Sequence, residues 1–327
     1  MMRRFLTVAL LAAMLCSLSA APASAQEFPS KTVFIVVPFP PGGSTDVLAR
    51  ALAVELGKVW HQSVVVENAP GAGSIIGAEK VAHAAPDGQT LLMTIDPTVV
   101  SNRFVYKKLP YDPDKSLVPI TMVARGGLFI VANPSFPANN LHELVEAARR
   151  DPGKIAYASA GIGTQTNLMM EMLAQHEGVK FLHVPYKGGV TPDLTAVMSG
   201  QVQVTAASLA AAGSLVKAGK LKALAISGQK RSALFPNVPT IAESGYPYVD
   251  YTIWFGLFAP GGTSPQLVDR INHDVTSIVM RPDFTKKYIT TIGLEPVADT
   301  PAEFAAAIRA NVKVAAEMVK AAGVHPH

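Results

Sequence analysis

Residues 33–51 read VFIVVPFPPGGSTDVLARA, and the fold is decided there. The apolar run 33–37 predicts a buried strand, Pro41, Gly42 and Gly43 form a corner, and Ser44, Thr45 and Asp46 open a helix. Glycine lets the backbone turn tightly, and the first N–H groups of the helix then lack an intrahelical acceptor. Those groups and the helix dipole favour an anion in front of the corner. The simpler alternative is an ordinary strand-to-helix connection with Ser44 or Thr45 as the N-cap.

Outward from this stretch the device recurs. The first helix, 45–60, should turn Val47, Leu48, Ala51, Leu52 and Leu56 to one face. A strand at 63–66 leads through Pro70, Gly71 and Gly73 to a helix at 74–84, and a third strand covers 90–95. Residues 102–119, rich in Pro, Asp and Lys, read as surface structure. A strand at 128–132 opens a second series: a helix at 141–150 behind Asn139 and Asn140, then a strand at 154–158. That strand runs into Ser159-Ala160-Gly161-Ile162-Gly163-Thr164 and a helix that should bury Leu168, Met169, Met172 and Leu173. A strand at 180–184 runs into Pro185-Tyr186-Lys187-Gly188-Gly189, with Thr191 and Pro192 expected as N-cap and first helical residue. Strands at 201–206 and 221–227 follow, then an aromatic strand at 251–258 and helices at 265–280 and 301–321. Short apolar runs separated by helices predict parallel sheets with helices on their faces. The two closing helices have no further strands to cover and should return to the first series. The expected fold is therefore α/β, with two lobes that are each a mostly parallel sheet flanked by helices. Lobe 1 is 26–124 plus 250–327, and lobe 2 is 125–249.

The beginning of the chain reads differently. Arg3 and Arg4 precede an apolar run from Phe5 to Leu18, and Ala23-Ser24-Ala25 precedes Gln26. That is the pattern of a secretory signal peptide, 1–25, cleaved after Ala25, and it predicts an exported, periplasmic protein. The single cysteine, Cys16, lies inside it, so no disulfide or thiolate is expected in the exported chain. Arg3 and Arg4 are the only charges in 1–25, so the formal charge falls from +4 to +2 without them. There is no Lys/Arg run interleaved with aromatics, which argues against nucleic acid.

Four glycine-rich corners, 41–45, 70–74, 161–166 and 188–191, fall two to each lobe, at the strand ends where parallel α/β sheets bind ligands. Facing lobes would aim them into one anion-binding cleft. A dinucleotide fingerprint fails, because Ile76 and Thr166 stand where the third glycines belong, although Asp96 ends the following strand. No Gly-x-Ser-x-Gly elbow is present, and the eight histidines lack metal-ligand spacing. No cofactor is expected. Lys187 beside Tyr186 could pair with a carboxylate.

The chain also resembles a known family. VPFPPGGSTDVLAR (37–50), VVVENAPGAGSIIGAE (64–79), APDGQTLL (85–92), KKLPYDP (107–113), HVPYKGG (183–189), LFPNVPTIAESG (234–245), WFGLFAP (254–260) and TPAEF (300–304) occur in order over nearly the whole exported chain. They resemble the substrate-binding proteins of tripartite tricarboxylate transporters, the Bug-type periplasmic receptors. The resemblance implies a type II periplasmic-binding-protein fold that closes on a small carboxylate and presents it to integral-membrane transporter subunits, without catalysis and as a monomer. It implies ligand contacts from Phe39, Gly42, Gly43, Ser44 and Thr45 in lobe 1, and from Ala160, Gly161, Thr164, Gln165 and Thr166 in lobe 2, with Tyr186 and Lys187 as further candidates. Where relatives often carry Phe-Asp-Asn after a Val-Asp-Val strand, this chain has Ala206-Ala207-Ser208 after Val202-Gln203-Val204. If Ala207 and Ser208 line the cleft, the lost carboxylate and ring favour an apolar or aromatic mono- or dicarboxylate over citrate or an amino acid. Alternatives are an exported two-lobe enzyme using Asp96 or Lys187, and a receptor that signals to a membrane sensor. A β-branched residue at Gly43 is expected to distort the first corner and abolish binding.

Overall fold

Strand β1 (Val33–Val37) lies between β2 (Val64–Asn68) and β3 (Thr90–Ile95), parallel to both. Helix α1 (Ser44–Trp60) and helix α2 (Ile75–Ala82) make the crossovers, so the ends of β1, β2 and β3 share one edge of the sheet. The computed structural model describes residues 28–186, 189–249, 251–324 and 326; the expected signal peptide and Lys187 lie outside these. In α1 the buried stripe is Thr45, Leu48, Ala49, Leu52 and Leu56, while Val47 is 40% exposed. At 100° per residue Val47 cannot share the centre of a stripe with Leu48, and the stripe follows Leu48.

The region expected to be surface structure, 102–119, is partly core: Val105, Tyr111 and Leu117 are buried. Leu117 begins β4 (Leu117–Ala132), a 16-residue strand where only 128–132 was expected. Pro119 and the pair Gly126-Gly127 punctuate its sequence, and β-bulges near Pro119 and Met122 let pairing continue past them. β4 is the spine of the molecule. Helix α3 (Leu141–Arg150) has the expected bounds, capped by Asn140, whose side chain accepts from the Glu143 amide at 2.8 Å.

The second series is β5 (Ala156–Ser159), α4 (Gln165–Glu177), β6 (Leu182–Pro185), α5 (Val190–Met198), β7 (Val204–Ser208), α6 (Leu209–Lys217) and β8 (Lys222–Ile226). β5 pairs parallel with β6 and β7. The α5 N-cap is Gly189 at φ +88°, not Thr191, so Thr191 and Pro192 fall inside the first turn. Pro192 is tolerated there because the amides of that turn have no intrahelical acceptor.

β9 (Thr252–Pro260) pairs antiparallel with β3 and with the first part of β4. From Leu128 onward β4 pairs instead with β7 and β8. One strand thus belongs to both lobes, with order β2-β1-β3-β9-β4 on one side and β4-β7-β5-β6 on the other. This is a two-lobe periplasmic-binding-protein fold. The lobes join where Arg125, Gly126 and Gly127 of β4 face Trp254, Ile253 and Thr252 of β9.

The two closing helices are α7 (Pro265–Val279) and α8 (Pro301–Ala321), the latter with the Thr300–Glu303 capping box. α7 returns to lobe 1: Asp274 accepts from Trp60 Nε1 at 2.7 Å, and Arg281 just beyond it pairs with Glu55 at 2.7 Å. α8 packs on β4 but also reaches α4 of lobe 2.

Candidate ligand-binding site

The corner after β1 is shaped by an acid three residues beyond its N-cap. Gly42 sits at φ +88° and donates its N–H to Asp46 Oδ2 at 2.9 Å. Asp46 also accepts from Asn68 Nδ2 (2.9 Å), at the end of β2, and from Arg50 Nε (2.9 Å), one turn along α1. Asn68 Nδ2 further bonds the Phe39 carbonyl at 3.1 Å, tying the β1 and β2 corners together. Burial pushes the Asp46 carboxyl up, but Arg50, the Gly42 amide and Asn68 outweigh it, and the net shift is downward.

The corner after β5 repeats this geometry with different chemistry. Gly163, at φ +77°, donates to Asn167 Oδ1 at 2.8 Å. Asn167 Nδ2 donates to the Tyr157 hydroxyl (2.7 Å), which donates to Glu171 (2.6 Å). The N-caps correspond as well: Gly43 at φ −76°, ψ 168° and Thr164 at φ −70°, ψ 159°. Gly42 to Asp46 and Gly163 to Asn167 are therefore one five-residue device used twice. The pairing of glycine with Asx four residues on is present in the sequence, but nothing local marks it as a latch.

These latches decide which amides stay free. Gly42 and Gly163 donate internally, and Gly161 donates to Ser159 Oγ at 3.1 Å. The first intrahelical donors are Val47, to the Gly43 carbonyl, and Leu168, to the Thr164 carbonyl. Ser44 and Thr45 on α1, and Gln165 and Thr166 on α4, precede those donors, so their amides head the helices without an intrahelical acceptor. Two sets of first-turn amides, one on each lobe, are what an anion would meet.

The other predicted residues divide. Phe39 is half-buried beside its corner and Ala160 is exposed. Thr164 Oγ1 donates to the Gly161 carbonyl (2.7 Å) and braces its own loop, whereas Thr166 Oγ1 donates to the Ala206 carbonyl (2.9 Å) and ties the head of α4 to β7. The Tyr186 hydroxyl lies 3.5 Å from Gln201 Oε1. Ala206 and Ala207 are each 1% exposed, Ala207 packing in a core with Phe129, Leu209 and Phe235. Ser208 is half-buried and caps α6 by accepting from the Ala211 amide at 3.3 Å. Gly43 has an ordinary φ, and a Cβ there would meet nothing closer than 4.0 Å. The expectation that a β-branched residue distorts this corner is thereby corrected: β-branched Thr164 already occupies the matching position in lobe 2.

Two polar groupings were missed by the sequence reading. Ser159 Oγ lies 2.6 Å from His183 Nε2, a hydroxyl–imidazole pair joining residues 24 apart. Ser159 is fully buried, and its Oγ also donates to the Gly161 carbonyl at 3.0 Å while accepting from the Gly161 amide. A hydroxyl enclosed and occupied in this way shapes the loop above it. Burial pushes the stacked His183 ring below its ordinary pKa. The second grouping is Asp96 at the end of β3, bonded by Gln165 of lobe 2 and by Tyr251.

Known proteins are similar to this chain in sequence and fold. The profile of the tripartite tricarboxylate transporter family receptor, TctC, matches residues 48–324. BugT of Bordetella pertussis is 35% identical over 283 residues, 86% of this chain and 86% of BugT. The structure of R. palustris Rpa4515 with adipate superimposes at a TM-score of 0.86 and 32% identity, covering 92% of this chain and 100% of that one. MatC from Rhodopseudomonas palustris with bound malate gives 0.81 at 32% identity, covering 89% and 100%.

Proposed function

Since the chain belongs to the tripartite tricarboxylate transporter receptor family, a family of periplasmic solute-binding proteins, we propose that it captures a small carboxylate between its lobes and delivers it, as a monomer, to integral-membrane transporter subunits. The observation that carries this reading is the pair of matched corners, Gly42–Asp46 and Gly163–Asn167, each latched internally so that first-turn amides remain for an anion. Ser44 and Thr45 would hold one carboxylate edge, and Gln165 and Thr166 the other. The relatives solved with adipate and malate support a dicarboxylate.

Within that class an apolar or aromatic ligand is favoured. Phe39 lies at one corner and the 52%-exposed Ile162 at the other. Arg50, one turn beyond the first corner, is held by Asp46 and Asn68. A ligand with several charges, such as citrate, would find amides and apolar surface at this corner and, among its described residues, no released guanidinium.

Calorimetric titration of ligand-stripped protein should show tight binding of adipate or an aromatic dicarboxylate, and weaker binding of citrate. Stabilisation by citrate alone would overturn the ligand preference, and failure of every carboxylate to bind would overturn the receptor reading. Native mass spectrometry of protein purified from its own periplasm should identify the physiological ligand.

A further inference from the structure

Asp96 is 1% exposed, and the donors that reach it come from separate parts of the fold. Gln165, the first residue of α4 in lobe 2, donates from Nε2 to Oδ1; the Tyr251 hydroxyl donates to Oδ2. Tyr251 immediately precedes β9, where the chain crosses back into lobe 1. Both donors are neutral. Burial is the leading influence on this carboxyl and pushes it well above the ordinary carboxylate range. An acid buried without a cation is costly, whereas an apolar side chain of similar size would pack at no such cost.

The hydrogen bonds from Gln165 and Tyr251 offset that cost, and the one from Gln165 crosses from lobe 2 to lobe 1. Gln165 belongs to the same corner as Gly163, where an added Cβ would stand 2.2 Å from Val105 Cγ2 of lobe 1. That corner is therefore seated against lobe 1 beside Asp96, and opening the hinge would withdraw Gln165 and admit water. Of the two bonds to Asp96, the one from Gln165 spans the lobes and the one from Tyr251 lies at the hinge strand.

We propose that Asp96 is a positioning residue of the closed state. Through Gln165 it fixes the head of α4, and with it the lobe 2 set of anion-facing amides, over lobe 1, while Tyr251 ties the acid to the hinge strand. Asp96 contacts no ligand in this scheme and acts by keeping the far clamp in place. The effect on ligand release rests on the carboxylate-receptor reading; the latch itself does not.

The test uses the exported protein with cysteines at Val54 in lobe 1 and Lys154 in lobe 2, both exposed, labelled as a fluorescence energy-transfer pair. Asp96→Ala should lengthen the mean separation in ligand-free protein and speed adipate release about tenfold, a loss of roughly one to two hydrogen bonds. Association should stay within about twofold, because the open form makes the first encounter. Tyr251→Phe removes only a hydroxyl, keeps the buried ring, and should shift both readouts in the same direction. In Asp96→Ala/Gln165→Ala, release should be no faster than in the faster-releasing of the two single variants. Unchanged separation and release in Asp96→Ala and Tyr251→Phe would overturn the latch, as would full multiplication of the two single effects in the double variant. If adipate does not bind the parent protein, that counts against the carboxylate reading, and the ligand-free separation still decides the latch.

Discussion

The corners at Gly42–Asp46 and Gly163–Asn167 have the same backbone and opposite surroundings. In lobe 1 the latch is a carboxylate partnered by a half-exposed Arg50; in lobe 2 it is a neutral amide partnered by a buried tyrosine. A Cβ added at Gly42 would meet nothing within 4 Å, whereas one at Gly163 would strike Val105 across the seam. The lobe 1 corner is thus an open jaw whose charge is neutralised from solvent. The lobe 2 corner is the jaw that seats, and it carries no charge of its own where it meets the other lobe. The difference shows how one loop geometry can be held by two latches, each suited to its local dielectric.

The largest test of this contrast is steric. Gly163→Val should block seating and weaken carboxylate binding by at least about a hundredfold in calorimetry, about 3 kcal/mol. Gly42→Ala should cost only the left-handed backbone penalty, about 1–2 kcal/mol of stability in denaturant unfolding. Equal effects at the two glycines would remove the distinction between the jaws.

Exchanging the latches is the next test. Asn167→Asp would place a carboxylate at a 2%-exposed site beside the Tyr157–Glu171 pair and forfeit the bond to Tyr157. It should destabilise the protein by about 2–3 kcal/mol at pH 7, measured by urea unfolding, and by less at pH 5. Asp46→Asn, which keeps one acceptor for the Gly42 amide, should cost about 1 kcal/mol.

Asp193 in lobe 2 and Asp46 in lobe 1 should also answer pH with opposite signs. Asp193, 1% exposed in the first turn of α5, has an oxygen without a partner among the described residues, and burial raises its pKa to about 7. A raised folded value means that its contribution is fully present below the unfolded value near 3.8 and is lost as pH rises through about 7. Parent protein should therefore be less stable at pH 8 than at pH 5, and Asp193→Asn should recover about 2 kcal/mol at pH 8. Asp46, with a lowered value, contributes above its unfolded value and loses that contribution only in stronger acid. The smallest effect expected is at the N-cap: Gly43→Thr, which copies Thr164, should change unfolding stability by less than about 0.5 kcal/mol.

Several elements were legible because their signals are local. The strand at 90–95 and the helices at 141–150 and 301–321 have the bounds expected from periodicity, caps and Pro/Gly punctuation. β4 was not legible in full, since Pro119 and Gly126-Gly127 look like stops and only pairing on both sides carries the strand through them. Thr191-Pro192 looked like a helix start for the opposite reason: Gly189, at positive φ, had already turned the chain.

By itself, the sequence of residues 33–51 and its echoes determined an α/β fold with glycine corners at strand ends, because turns, periodicities and helix starts are settled within a few residues. The tertiary structure alone decided which amides those corners leave free. Asp46 with Asn68, Ser159 with His183, and Asp96 with Gln165 and Tyr251 are separated by 22, 24, 69 and 155 residues. Hydrogen bonds over such separations depend on how the lobes are laid together, and no local propensity encodes that.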